Sequence, residues 1–131
     1  MLDLDYKLNC IKKLKAGYKV LVMGNHDKGQ TIYDDYFDEV YSGVLVINEK
    51  IILSHEPVNI PFLFNIHGHD HANKTTMPFH KNCCAEVINY TPVSLNKMTE
   101  SGAFGKVVSI HRKTIDCATD KKIKRLAKNT K

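Results

Sequence analysis

The residues best suited to chemistry lie in three short segments, Gly24-Asn25-His26-Asp27, Ser54-His55-Glu56-Pro57 and His67-Gly68-His69-Asp70-His71. Each directly follows a run of apolar, β-prone residues. In a parallel or mixed sheet, the loops after the strands gather at one edge, and ligands bind outside those carboxyl ends. Neutral imidazoles from His55, His69 and His71, with the side-chain oxygen of Asn25, are the donors that divalent cations of intermediate softness take. Three such loops at one edge predict a metal site, and a metal predicts hydrolytic chemistry. Within Gly68-His69-Asp70-His71 the two imidazoles are two residues apart, so an extended segment places both on one face. Gly68 is the position expected to allow close backbone approach. His80 and His111 read as lone surface or capping histidines, and His67 as structural.

The elements that must carry these segments follow from periodicity. Leu8, Ile11 and Leu14 recur at helical spacing, with Gly17 as a stop, predicting an amphipathic helix from Tyr6 to Ala16. Lys19 to Met23 reads as a buried strand ended by Gly24. Gln30 to Phe37 is weakly helical, and Asp38 to Tyr41 leads into a return strand. Val44–Ile47 and Ile51–Leu53 flank Asn48-Glu49-Lys50 as a hairpin. Phe62 to Ile66 and Cys84 to Ile88 supply further strands. Thr91 to Leu95 starts a helix, with Ser94 or Asn96 as its cap, and a last helix spans Thr119 to Lys128. This order predicts an α/β or α+β fold with much of the sheet buried.

The 131 residues suit one domain, 1–131, with a basic tail over 119–131. No stretch approaches the ~20 apolar residues of a membrane span, and the start lacks a secretory signal pattern, so the expectation is a cytoplasmic protein without a membrane partner. Cys10, Cys83, Cys84 and Cys117 lack zinc-knuckle or redox spacing and read as reduced thiols. In a strand, the side chains of Cys83 and Cys84 point to opposite faces. The net charge of +5 is concentrated in the tail. Such a tail can contact nucleic acid electrostatically, but without interleaved aromatics it reads as a solvated helix end.

The ordered set Gly-Asn-His-Asp, then a strand ending in Ser-His, then Gly-His-x-His resembles the calcineurin-like metallophosphoesterases. The stretch from Cys83 to Leu95 also looks like small bacterial and phage members, and the resemblance covers about residues 10 to 100. It implies a partial β-sandwich of mixed sheets flanked by helices, acting as a metal-dependent phosphoesterase on a phosphomonoester or phosphodiester. By this resemblance, Asn25, His55 and His69 bind one metal and His71 a second. His26 sits beside the scissile phosphate, and Asp27 orients His26. Manganese, iron, zinc or nickel suits such a site, with two ions in the family and one expected here.

The sequence departs from the family in one respect. No Asp-x-His precedes Gly24, and no Gly-Asp pair occurs anywhere in the chain. These are the family's first-strand and bridging ligands. Asp3 and Asp5 read as helix-start acids, with a remnant of the bridging carboxylate as the other reading. The expectation is therefore a domain incomplete at its N-terminal side, with two consequences. The exposed sheet should be covered by a homo-oligomer or a partner. Alternatively, the chain is a catalytically impaired metal- or phosphate-binding remnant.

Overall fold

The structure, a computed structural model, describes residues 4–73, 77–108 and 110–129. Helix α1 (Leu4–Lys12) precedes strand β1 (Val20–Val22), a 3-10 turn (Gln30–Ile32) and β2 (Glu39–Tyr41). Strands β3 (Leu45–Val46), β4 (Ile51–Ser54), β5 (Phe64–His67) and β6 (His80–Asn82) follow, then helices α2 (Leu95–Glu100) and α3 (Ile110–Asn129). Strands β1 and β2 form a parallel pair, with Val20 opposite Glu39 and Val22 opposite Tyr41. The other four strands form a second sheet in the order β3-β4-β5-β6. In it β3 is antiparallel to β4, while β4, β5 and β6 run parallel. The chain is a mixed α/β fold of two sheets flanked by helices.

Local chemistry explains the hairpin. The Asn48 side-chain oxygen accepts from the Lys50 and Ile51 amides at 2.8 and 2.9 Å, closing an Asx-type turn. That turn sets the register of Leu45 opposite Leu53. On one face of the larger sheet, Ile51 and Phe64 are neighbours across the ladder and pack against Phe104 and Val107. The Phe64 and Phe104 rings meet edge to face at 5.0 Å. Burying each such side chain contributes about 1.5–3 kcal/mol. Alternation sends Ile52 and Asn65 to the other face, where both are almost fully buried.

Several expectations are corrected. β1 is not buried: Val20 is 42% exposed, and its two strand neighbours are only half-buried. The strand expected over Cys84–Ile88 is a turn, and the strand lies just before it, at His80–Asn82. Asn82 ends the ladder because its side-chain oxygen takes the Cys84 amide at 2.8 Å. Asn89 and Tyr90 then adopt positive φ, which no strand accommodates. Helix α1 begins and ends earlier than expected. Helix α2 is capped by Ser94 as anticipated. Helix α3 begins nine residues before Thr119, and from Thr114 to Arg125 every side chain is exposed. The basic tail is thus largely a solvated helix, with Thr130 and Lys131 outside the described residues. So is Asp3, while Asp5 lies in α1. Among the described residues, no helix is long and apolar enough to cross a membrane.

Candidate metal centre

The three segments do meet at the carboxyl ends of their strands. β1 delivers Gly24-Asn25-His26-Asp27, β4 ends at Ser54 and delivers His55, and β5 ends at His67 and delivers Gly68-His69-Asp70-His71. His55 Nε2 lies 2.8 Å from Asn25 Oδ1 and 3.0 Å from His69 Nδ1. The His55 and His69 rings sit edge to face at 4.9 Å. One imidazole nitrogen carrying at most one proton therefore faces two other donor atoms. His26, His71, Cys84, Ala85 and Glu86 complete the lining of the surrounding cavity, about 310 Å³ in volume.

Backbone contacts hold this arrangement. The Gly68 amide donates to the His55 carbonyl at 3.0 Å, locking the second and third segments together. Closest approach falls at Gly24 rather than at Gly68. A Cβ on Gly24 would lie 2.6 Å from His55 Cε1 and 2.7 Å from Nδ1, whereas one on Gly68 would meet nothing nearer than 3.7 Å. Asp27 closes its own loop: its carboxylate accepts from the Gly24 amide at 2.7 Å and from the Tyr33 hydroxyl at 3.0 Å. Burial, reinforced by that hydrogen bond, raises the Tyr33 pKa above the usual phenol range.

His69 and His71 line one cavity, but not from an extended segment. Both have positive φ, 65° and 49°, and the Asp70 amide turns back to the Gly68 carbonyl at 2.8 Å. The segment is coiled rather than extended, so His69 reaches His55 while His71 reaches Glu86, at 3.2 Å from Nδ1 to Oε1. Glu86 is the site residue that sequence reasoning missed. Misassigning residues 84–88 as a strand hid the turn that presents it. Its carboxyl is held below the usual range, first by its own backbone amide and then by His71.

His67 is 2% exposed, and its Nδ1 lies 2.9 Å from the Gly68 carbonyl, a structural role as expected. His80 is half-buried and not alone: it packs edge to face on His67 at 5.5 Å. Among the described residues its buried Nδ1 has no hydrogen-bond partner. Burial, aided by the neighbouring His67 and opposed by Asp70, holds its pKa below the ordinary 6.5. A histidine kept neutral in the fold stabilises it fully above the unfolded pKa, and that stability is lost as pH falls from there through the lower folded value. The metal-free protein is therefore expected to lose thermal stability below about pH 6.5. His80→Phe should flatten that dependence in melting curves, and an unchanged slope would assign it to other groups.

The four cysteines are free. Cys83 lines a small apolar cavity with Leu53, Ile66 and Met98, while Cys84 lines the histidine cavity, so the two part although neither lies in a strand. Burial raises the Cys83 pKa. Among the described residues, no group of three or more His, Cys, Asp or Glu side chains is placed to hold a metal. The converging set has two histidines, and its third member is an asparagine. Two imidazole nitrogens and an amide oxygen within 3.0 Å steps fit one borderline cation, with remaining positions open to water.

No family profile matches the chain. It is 35% identical over 108 residues to the uncharacterized protein MJ1445 of Methanocaldococcus jannaschii, covering 73% of this chain and 56% of that protein. The chain thus spans little more than half the length of this curated relative. Among solved structures it is similar to the protein of unknown function AQ665 from Aquifex aeolicus, with a TM-score of 0.60 and 30% identity. That match covers 76% of this chain and 68% of the Aquifex chain. The chain belongs to one family with this Aquifex protein.

Proposed function

We propose that this chain is a metal-dependent phosphoesterase of the calcineurin-like metallophosphoesterase type, hydrolysing a phosphomonoester or phosphodiester. The observation that carries the reading is the convergence of Asn25 Oδ1, His55 Nε2 and His69 Nδ1 at the carboxyl ends of β1 and β4 and just beyond β5. Asn25, His55 and His69 would hold one divalent ion, with His71 directed to a second. When bound, a divalent ion polarises the phosphoryl group and lowers the pKa of a bound water. His26 lines the same cavity. It would steady charge on the phosphate and give a proton to the departing oxygen. Asp27 fixes the loop that carries His26 by binding the Gly24 amide and the Tyr33 hydroxyl. Through that loop it would set the orientation of His26. An adjoining cavity of about 340 Å³, walled by Met23, Val44 and Val58, shares Asn25 and His55 with the site. It offers space for the ester's organic group. The parallel β1–β2 pair and the mixed four-stranded sheet would form the partial sandwich of that family, with a second copy or a partner covering the half-exposed β1–β2 pair.

The test is hydrolysis of bis-p-nitrophenyl phosphate with manganese, iron, zinc or nickel. His26→Ala should lower kcat by about 10²–10⁴-fold. His69→Ala should abolish turnover by removing a metal donor. No hydrolysis with any of these ions would exclude the activity for this chain.

One observation favours a second reading, a metal- or phosphate-binding protein without turnover: His71 stands apart from the three-donor cluster, paired with Glu86. Elemental analysis separates it from a two-metal enzyme, since that reading predicts about one bound metal per chain or fewer, without turnover.

A further inference from the structure

Glu86 reaches His71 through a built arrangement rather than a chance surface contact. The nearly buried Asn82 side chain donates to the carbonyls of His71 and Asn73, at 3.0 and 3.3 Å, and its oxygen takes the Cys84 amide. One residue thus ties the histidine loop to the turn after β6. That turn is closed by the Val87 and Ile88 amides on the Cys84 carbonyl and by the Tyr90 amide on the Ala85 carbonyl. The outcome is a carboxylate oxygen 3.2 Å from His71 Nδ1.

A neutral imidazole has one donor nitrogen and one acceptor nitrogen, and a carboxylate only accepts. Nδ1 must therefore carry the proton, and Nε2 the lone pair. We infer that Glu86 is a positioning residue for His71, fixing its Nδ1–H tautomer and orientation so that Nε2 is the metal-binding nitrogen. This rests on the proposed reading of His71 as a metal ligand. Carboxylate–histidine–metal relays of this kind raise ligand basicity and prevent the ring from turning. The side chains are 79% and 42% exposed, so the pair adds little stability of its own and truncating Glu86 should leave the fold intact.

The experiment has two arms. In metal-free protein above the histidine titration range, long-range ¹H–¹⁵N NMR should report the Nδ1–H tautomer of His71. Glu86→Gln, whose amide oxygen still accepts, should keep it, and Glu86→Ala should lose it. An Nε2–H tautomer in the parent protein, or no change in Glu86→Ala, overturns the inference without reference to any metal. In manganese titrations, Glu86→Ala should weaken binding by about 10–100-fold. Glu86→Gln should stay near the parent value, and Glu86→Ala should add nothing on a His71→Ala background. Parent-like affinity in Glu86→Ala overturns the positioning role. Unchanged affinity in His71→Ala itself overturns it through the metal reading on which it rests.

Discussion

On the proposed metal-binding reading, Gly24→Ala is expected to weaken manganese binding at least 10–100-fold while leaving the fold largely intact, although the substitution adds a single methyl group. That methyl would sit 2.6 Å from His55 Cε1, 2.7 Å from Nδ1 and 3.0 Å from Nε2. These are ring atoms, so the imidazole must swing away as a unit and carry its Nε2 from Asn25 and His69. His55 Nε2 is the middle member of the cluster, at 2.8 and 3.0 Å from its neighbours. Losing its position should cost at least the 10–100-fold in metal affinity typical of disturbing a ligand's support. Gly68→Ala is the control. Its methyl would approach no atom closer than 3.7 Å, and the amide that donates to the His55 carbonyl is kept. Manganese titrations of the two variants decide the point. Equal affinities would mean that His55 is not held against Gly24, or that it is not a ligand.

This contrast also marks how far the sequence could be read. Gly24 and Gly68 look alike as text, each opening a polar segment after an apolar run. Which one the ring leans on depends on how two sheets are set beside each other, and no local pattern encodes that. The strands that carry the donors were legible because apolar runs ending in Gly or Ser-His are local signals. Ser94 capping α2 and the Asn48 turn were legible for the same reason. The turn after β6 was not. Cys84-Ala85-Glu86-Val87-Ile88 has strand composition, but Asn82 captures the Cys84 amide and left-handed Asn89 and Tyr90 close the turn. Glu86 was lost from the site with it. His69 and His71 were likewise misread as an extended pair, since sequence alternation does not reveal that both backbones are left-handed. The burial of β1 was overestimated, because a Val-Leu-Val run reads the same whether or not a neighbouring layer covers it.

The largest loss of stability from one polar substitution is expected at Asn65, a residue whose place in an apolar run conceals its importance. It is 1% exposed on β5. Its Oδ1 accepts from the Val58 amide at 2.9 Å, and its Nδ2 donates to Ser54 Oγ at 2.8 Å and to the Ile52 carbonyl at 3.3 Å. Ser54 Oγ in turn donates to the Glu56 carbonyl at 2.6 Å. The side chain therefore pins both ends of the segment 54–58, and His55 lies inside it. Asn65→Leu keeps the branching of the side chain but leaves the Val58 amide without its partner and removes the bond to Ser54 Oγ. A buried group left unsatisfied costs about 1–3 kcal/mol, so a loss of at least ~2 kcal/mol is expected. For a chain of this size that is a fall of roughly 10 °C in Tm. Ser54→Ala removes only the outer link and should cost less. The double variant should then lose less than the sum, because the two residues share one bond. Thermal melts measure these losses. Manganese affinity of the folded variants asks a separate question, whether the same network holds the ligand. If Asn65→Leu melts earlier yet binds metal as the parent does, His55 is held by Gly24 and Gly68 alone. If both fall together, the buried amide inside the sheet is what keeps a donor of the proposed metal site in place.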